Sequence, residues 1–162
     1  MPGDLPHLTA TGTARMVDVS DKESTARTAT ASGLVRLNAE AVGALRDGTV
    51  PKGDALAVAR IAGIQGAKKT PDLVPLCHPL PLSGVDIDLE VVDEGVRIAV
   101  TVRTTGRTGV EMEALTAVSV AALSVVDMIK AIDRGAVITD VRVESKSGGR
   151  RGDWRRPATE AG

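Results

Sequence analysis

The chain contains no phenylalanine and no tyrosine, and Trp154 is its only aromatic residue. Its interior must therefore be filled by valine, alanine, leucine and isoleucine. Alanine-rich helices let backbones approach closely, which suits tight packing, including packing between subunits. A single cysteine excludes a disulfide framework, and with two histidines it leaves few ligands for zinc, which usually takes three or four. A positive excess is also missing. The net charge of −1 argues against a general nucleic-acid binder, and a lone tryptophan offers no stacking platform for bases. The longest apolar run, residues 114–126, includes Thr116, Ser119 and Ser124 and falls short of the ~20 residues that span a bilayer. The first eight residues carry Asp4 and no apolar stretch, so no secretory signal is read there. What remains is 162 residues, 43% hydrophobic and 25% charged, which fits one compact domain in a reducing cytoplasm with no membrane partner.

Residues 1–12 read as a flexible arm, 13–146 as a single folded domain, and 147–162 as a flexible Gly- and Arg-rich tail. Residues 13–25 form a loop bearing Met16-Val17-Asp18-Val19. A strand over 26–37 precedes Asn38, a good N-cap for a short helix that stops at Gly48. Asp54 caps a second helix through Ile64. Four prolines (71, 75, 79 and 81) make 71–81 a stiff, extended loop. Alternating residues predict a hairpin over 85–92 and 96–104 about Asp93-Glu94-Gly95. A long helix over 111–132 and a strand over 136–145 follow, the strand alternating Val137, Thr139, Val141 and Val143 against Ile138, Asp140, Arg142 and Glu144. The order is that of an α+β, ferredoxin-like split βαβ fold, an antiparallel sheet packed on helices.

Three polar clusters stand out. The first is Cys77-His78 within Pro75-Leu76-Cys77-His78-Pro79-Leu80. Both side chains are metal ligands, but the ligand count is low. A Cys–His nucleophile is disfavoured because neighbours on extended backbone point to opposite sides. A buried Cys beside a surface His is the ordinary alternative, and a proline-clamped His is also a fixed hydrogen-bonding group for a substrate.

The second cluster is the long helix. Glu111 and Glu113 in its first turn complement the helix dipole whatever else they do. Asp127 and Lys130 share a face. An exposed pair of this kind is worth under ~1 kcal/mol, but here it sits among Val125, Val126, Met128, Ile129, Ala131 and Ile132, where an acid–base pair can acquire shifted proton affinities. Glu113 and Asp127 lie roughly 21 Å apart along the helix axis. If both serve one small substrate, the site is shared between subunits.

The third cluster is basic: Lys52-Gly53-Asp54, Lys68-Lys69-Thr70, and Lys146-Ser147-Gly148-Gly149-Arg150-Arg151-Gly152. Cations beside flexible backbone amides suit a phosphate, although a solvated tail is the plainer reading of the last. Residues 68–70 are not a Walker A loop, since Lys68 stands where glycine is required.

Taken together, these segments resemble the cyclic pyranopterin monophosphate synthase (MoaC) family. The matching pieces are Met16-Val17-Asp18-Val19-Ser20, Lys52-Gly53-Asp54, Ala59-Arg60-Ile61-Ala62-Gly63-Ile64-Gln65, the Pro75 to Leu80 motif, Thr108-Gly109-Val110-Glu111-Met112-Glu113-Ala114-Leu115-Thr116-Ala117, Asp127-Met128 with Lys130-Ala131, and Lys146-Ser147-Gly148-Gly149. They run in family order over about residues 13–152. The resemblance implies a lyase of molybdenum cofactor biosynthesis. It would convert 3′,8-cyclo-7,8-dihydro-GTP to cyclic pyranopterin monophosphate with release of pyrophosphate. It implies catalytic roles for Asp127, Lys130 and Lys52. Leu76, Cys77, His78, Met112 and Glu113 would contact substrate. Glu111 and Lys146 would share the pocket, and Lys22 and Arg27 would lie near the triphosphate end. No metal or redox cofactor is implied, although magnesium can accompany the triphosphate. The family assembles as a hexamer, a trimer of dimers with interface sites, which agrees with the helix-length argument. Val126 stands where the family often has tyrosine, and Arg150-Arg151 where Lys-Ser is common; neither change removes a catalytic group. The alternative is a non-catalytic, oligomeric nucleotide sensor, which would need cations and a pocket but no Asp–Lys pair.

Overall fold

The computed structural model describes residues 6–159. The elements, in chain order, are β1 (Thr25–Arg36), α1 (Ala39–Asp47), α2 (Ala55–Lys68), α3 (Thr70–Leu73), β2 (Leu82–Val92), β3 (Gly95–Gly106), α4 (Glu111–Ile129), β4 (Val137–Ser147) and β5 (Trp154–Arg155). They form one sheet in the order β2-β3-β1-β4-β5, with every neighbouring pair antiparallel. The first four strands give the ferredoxin-like arrangement expected from the element order.

Local chemistry explains most boundaries. The Asn38 side chain accepts from the Ala41 amide to start α1, and Gly48 ends it in the left-handed region at φ 69°. Asp54 accepts from the Ala57 amide to start α2. The β2–β3 hairpin turns at Asp93 and Glu94. Gly95 follows at φ 146°, where a Cβ would stand 1.8 Å from the Val35 carbonyl oxygen of β1. Only glycine allows that approach. The alternation read in β3 holds, with Val96, Ile98, Val100 and Val102 fully buried.

The buried alanines of α4 and α2 pack against one another within the chain. Ala114, Ala117, Ala121 and Ala122 of α4 are buried in the core with Ala55, Ala59 and Ala67 of α2. Gly63 and Gly66 bring α2 so close to α4 that a Cβ at Gly66 would stand 2.8 Å from a Val120 methyl. The alanine-rich seam is therefore the chain's own α2–α4 packing, with dense apolar contact in place of aromatic rings. Helix α4 is 19 residues long and apolar enough to cross a membrane, but half of that apolar window is buried against the fold.

Four expectations are corrected. Helix α2 runs four residues beyond Ile64, to Lys68. Pro71 does not open an extended loop; it lies at the start of the one-turn helix α3, where its missing N–H costs nothing. Helix α4 ends at Ile129, not Ile132, because Asp133 turns away. Its buried carboxylate accepts from the Asn38 amide at 2.7 Å and the Gly135 amide at 2.8 Å. Strand β4 does not alternate throughout. Register shifts opposite 30–34 and the positive φ of 56° at Asp140 break the period, so Val137 is exposed while Ile138 and Val141 pack on the core.

The ends are more structured than their composition suggests. Leu8 and Ala14 form a β-bridge, so residues 6–12 of the expected arm fold into a small turn; residues 1–5 lie outside the described residues. In the expected tail, Ser147 belongs to β4, and Trp154 and Arg155 pair back onto Lys146 and Ser145 as β5; residues 160–162 lie outside the described residues.

Candidate active site

The sequence candidates gather at the two ends of α4. At its C-terminal end, the Asp127 carboxylate accepts from Lys130 Nζ at 2.8 Å and from Lys52 Nζ at 3.3 Å. Lys52 Nζ also donates to the Asp127 backbone carbonyl at 2.9 Å. A cation is favourable there because the last carbonyls of a helix lack intrahelical partners. Lys52 reaches them from the α1–α2 connection, where Gly53 takes φ 109°. Hydrogen bonds from Lys130 and then Lys52 hold the Asp127 carboxyl below its ordinary range. All three side chains are about half exposed, so the cluster is open to a ligand and contributes little to stability.

The N-terminal end of α4 opens onto a cleft of about 590 Å³, lined by Lys22, Glu23, Thr25, Arg27, Thr108, Gly109, Glu111, Lys146, Gly148, Gly149, Arg150 and Arg151. Five cationic side chains face two carboxylates there, which suits an anion. Lys146 Nζ pairs with Glu111 Oε1 at 3.1 Å, both side chains mostly buried. Arg27 Nε donates to the Gly106 carbonyl at 2.9 Å, which fixes its guanidinium at the cleft. The glycines leave room for the cleft's charged groups. A Cβ on Gly149 would stand 2.2 Å from Arg27 Nη1, and one on Gly109 would stand 2.0 Å from Glu111 Oε2.

The proline-rich segment lies beside this end. His78 Nε2 donates to the Val17 carbonyl at 2.5 Å, which places the proton on Nε2 and ties the Met16 to Ser20 segment to the site. Cys77 turns to other neighbours. Burial raises its thiol pKa, and the nearby Glu113 and Glu111 raise it further, so the sulfur is a neutral thiol rather than a nucleophile. Leu76 and Met112 are exposed at 36% and 40%, apolar surfaces open to a ring-shaped ligand. Glu113 is the opposite case. It is only 2% exposed, and neither carboxylate oxygen has a partner. Burial, then Glu111, pushes its carboxyl up, and its own backbone amide only partly opposes this.

The structure thus brings together Glu111, Lys146, Lys22 and Arg27 around one cleft, with Cys77 near Glu111 and Glu113. It brings Lys52, Asp127 and Lys130 together elsewhere. The basic cluster read as one group divides in three. Lys52 joins Asp127, Lys146 joins the cleft with Arg150 and Arg151, and Lys69 makes an exposed pair with Asp72 at 3.8 Å. Glu23 and Thr25 were not singled out by sequence. Nothing in the motif spacing marks them; they enter because the start of β1 and the residues just before it line the cleft.

Comparison with known proteins places the chain in a family. Residues 16–149 match the model of the MoaC family. The chain is 69% identical over 152 residues to cyclic pyranopterin monophosphate synthase of Streptomyces coelicolor, covering 94% of this chain and 89% of the relative. It is 65% identical over 159 residues to the protein of that name from a Nocardioides species, covering 96% and 98%. It is 58% identical over 154 residues to cyclic pyranopterin monophosphate synthase 2 of Mycobacterium tuberculosis, covering 95% and 92%.

Proposed function

The chain belongs to the MoaC family, and from that premise we propose that it is a pyrophosphate-releasing lyase of molybdenum cofactor biosynthesis. Its substrate is 3′,8-cyclo-7,8-dihydro-GTP and its product cyclic pyranopterin monophosphate. The observation that carries the mechanism is the pairing of a cationic cleft with a separate Asp–Lys–Lys cluster. The triphosphate lies in the cleft among Lys22, Arg27 and Lys146. There a sugar hydroxyl attacks the α-phosphorus. The new P–O bond forms as the α–β bond breaks, the hydroxyl proton passes to a base, and pyrophosphate leaves on the cations. Such clamps act mainly by positioning and by stabilising charge at the transferring phosphorus. Rearrangement of the ring needs protons moved on and off nitrogen and carbon. On this reading Asp127, bonded to both Lys52 and Lys130, relays them together with the two lysines. Leu76, Met112 and Cys77 offer apolar surface to the pterin and His78 a polar contact, while Glu113, expected from the resemblance to touch substrate, lies buried.

The two clusters stand at opposite ends of a 19-residue helix, so one chain does not present both to the same reacting atoms. On this reading the site is composite and completed by a second copy of the chain, in keeping with the hexamer, a trimer of dimers, that the family resemblance implies. The setting is the cytoplasm. Among the described residues no three His, Cys, Asp or Glu side chains converge, and on this reading magnesium enters with the triphosphate that binds it. The sensor alternative draws no support from relatives named as synthases. The direct test is incubation of the purified protein with the cyclised nucleotide, following pyrophosphate and the oxidised fluorescent pterin. Both should appear together in equal amounts. Binding without release of pyrophosphate would mean a sensor.

A further inference from the structure

The family match ends at residue 149, yet the cleft wall continues to Arg150 and Arg151. The following residues show what holds that wall. The chain leaves β4 through a turn in which Gly148, Gly149 and Gly152 all take positive φ, at 89°, 82° and 65°. The Gly152 amide donates to the Gly149 carbonyl at 3.2 Å, and the Gly148 amide donates to the Asp153 carboxylate at 3.3 Å, closing the loop at its neck. Trp154 then pairs with Lys146 and Arg155 with Ser145. Arg156 adds two bonds to β4: its amide donates to the Glu144 carbonyl at 2.7 Å and its Nε to the Val143 carbonyl at 2.8 Å. Its guanidinium lies 5.6 Å from the centre of the Trp154 ring, within cation–π range.

The loop is thus fastened on both sides, while among the described residues Arg150 and Arg151 make no side-chain hydrogen bond or ion pair. A single-stranded tail with two free arginines would pay ordering entropy each time it gripped an anion; a loop already closed pays less. The fastening point matters too, since Trp154 pairs with the residue whose ammonium sits in the cleft. We propose that Trp154 and Arg156 are positioning residues that clamp the 148–153 loop to β4, so that Arg150 and Arg151 form the outer grip on the substrate's polyphosphate. This rests on the reading of the cleft as the triphosphate site.

The test uses inorganic tripolyphosphate titrated into the full-length protein by calorimetry. The variants are Arg156→Ala, Arg150→Ala with Arg151→Ala, all three together, and Lys146→Ala as a control on the cleft itself. Arg156→Ala should weaken binding about tenfold, the order expected when two arginine side chains must be ordered on binding instead of beforehand. The triple variant should bind no more weakly than the double, because the clamp acts only through the two arginines. In turnover, KM should rise for Arg156→Ala with kcat within about twofold. Wild-type affinity for Arg156→Ala beside a weakened Lys146→Ala overturns the clamp and leaves the cleft assignment standing. Additive losses in the triple variant also overturn it. Wild-type affinity for Lys146→Ala overturns the cleft reading, and the clamp with it. If Arg156→Ala does not fold, trypsin on the wild-type protein decides. Tripolyphosphate should protect the bonds after Arg150 and Arg151, and equal cleavage with and without it contradicts the proposal.

Discussion

Lys52 and Asp127 are 75 positions apart in the sequence and are joined twice, through the aspartate's backbone carbonyl at 2.9 Å and its carboxylate at 3.3 Å. With Lys130 on the same carboxylate at 2.8 Å, the C-terminal end of α4 carries one acid between two ammonium groups. Because the three side chains are about half exposed, removing one lysine should leave the fold intact and the chemistry impaired. Lys52→Ala and Lys130→Ala should each lower pyrophosphate release about 100- to 10,000-fold, the usual range for a positioned acid–base group. Far-UV circular dichroism checks the fold. Activity within a few fold of wild type for either variant removes that lysine from the mechanism.

Two carboxyl groups should respond to pH with opposite signs. Asp127 is held below its ordinary range by Lys130 and Lys52. Its pairing therefore favours the folded state above about pH 3.9, the unfolded value, and is lost as pH falls through the lower folded value. Glu113 is raised, chiefly by burial. It favours the folded state below about pH 4.3, and that contribution is lost as pH rises through its higher folded value. Urea unfolding across pH separates the two. Asp127→Asn should lose a small stability difference from wild type only on acidification. Glu113→Gln should match or exceed wild type at pH 7, with the gap closing in acid. A Glu113→Gln protein less stable than wild type at pH 7 would mean that the carboxylate is ionised and paired.

The glycines of the Lys146-Ser147-Gly148-Gly149 motif make a separate prediction. A Cβ at Gly148 would stand 2.1 Å from the Ala26 carbonyl oxygen, in a left-handed backbone. Gly148→Ala should cost on the order of 1–3 kcal/mol in thermal or urea unfolding. Gly149→Ala should instead displace Arg27 and raise KM. If both variants melt and turn over like wild type, the motif's glycines do not shape the cleft.

Much of this was legible in the sequence. Asn38, Gly48 and Asp54 announce both ends of α1 and the start of α2 through their own side chains or backbone freedom, and the alternation of 96–102 marks the buried face of β3. The features that escaped depend on tertiary contacts. Asp133 ends α4 by bonding to Asn38, 95 residues away. The bulges in β4 answer a partner strand, and β5 exists only because β4 offers a free edge. The site divides the same way. Asp127 and Lys130 could be paired by helical spacing, whereas Glu23, Thr25 and the sealed state of Glu113 follow from how β1 and the 75–79 segment lie against α4.

The central claim is that the cleft at one end of α4 and the Asp–Lys–Lys cluster at the other act on one substrate from different chains. Lys146→Ala disables the first cluster and Asp127→Ala the second, and each protein alone should be nearly dead. Two-fold packing would place one chain's cleft against its partner's cluster. Mixing the two variants under conditions where subunits exchange should then create some pockets with both clusters intact. Pyrophosphate release from the cyclised nucleotide should recover to a sizeable fraction of wild type, up to about one quarter of sites for random exchange within dimers. If labelled subunits are seen to exchange and the mixture remains as inactive as its components, both clusters serve a site within one chain and the composite account is wrong.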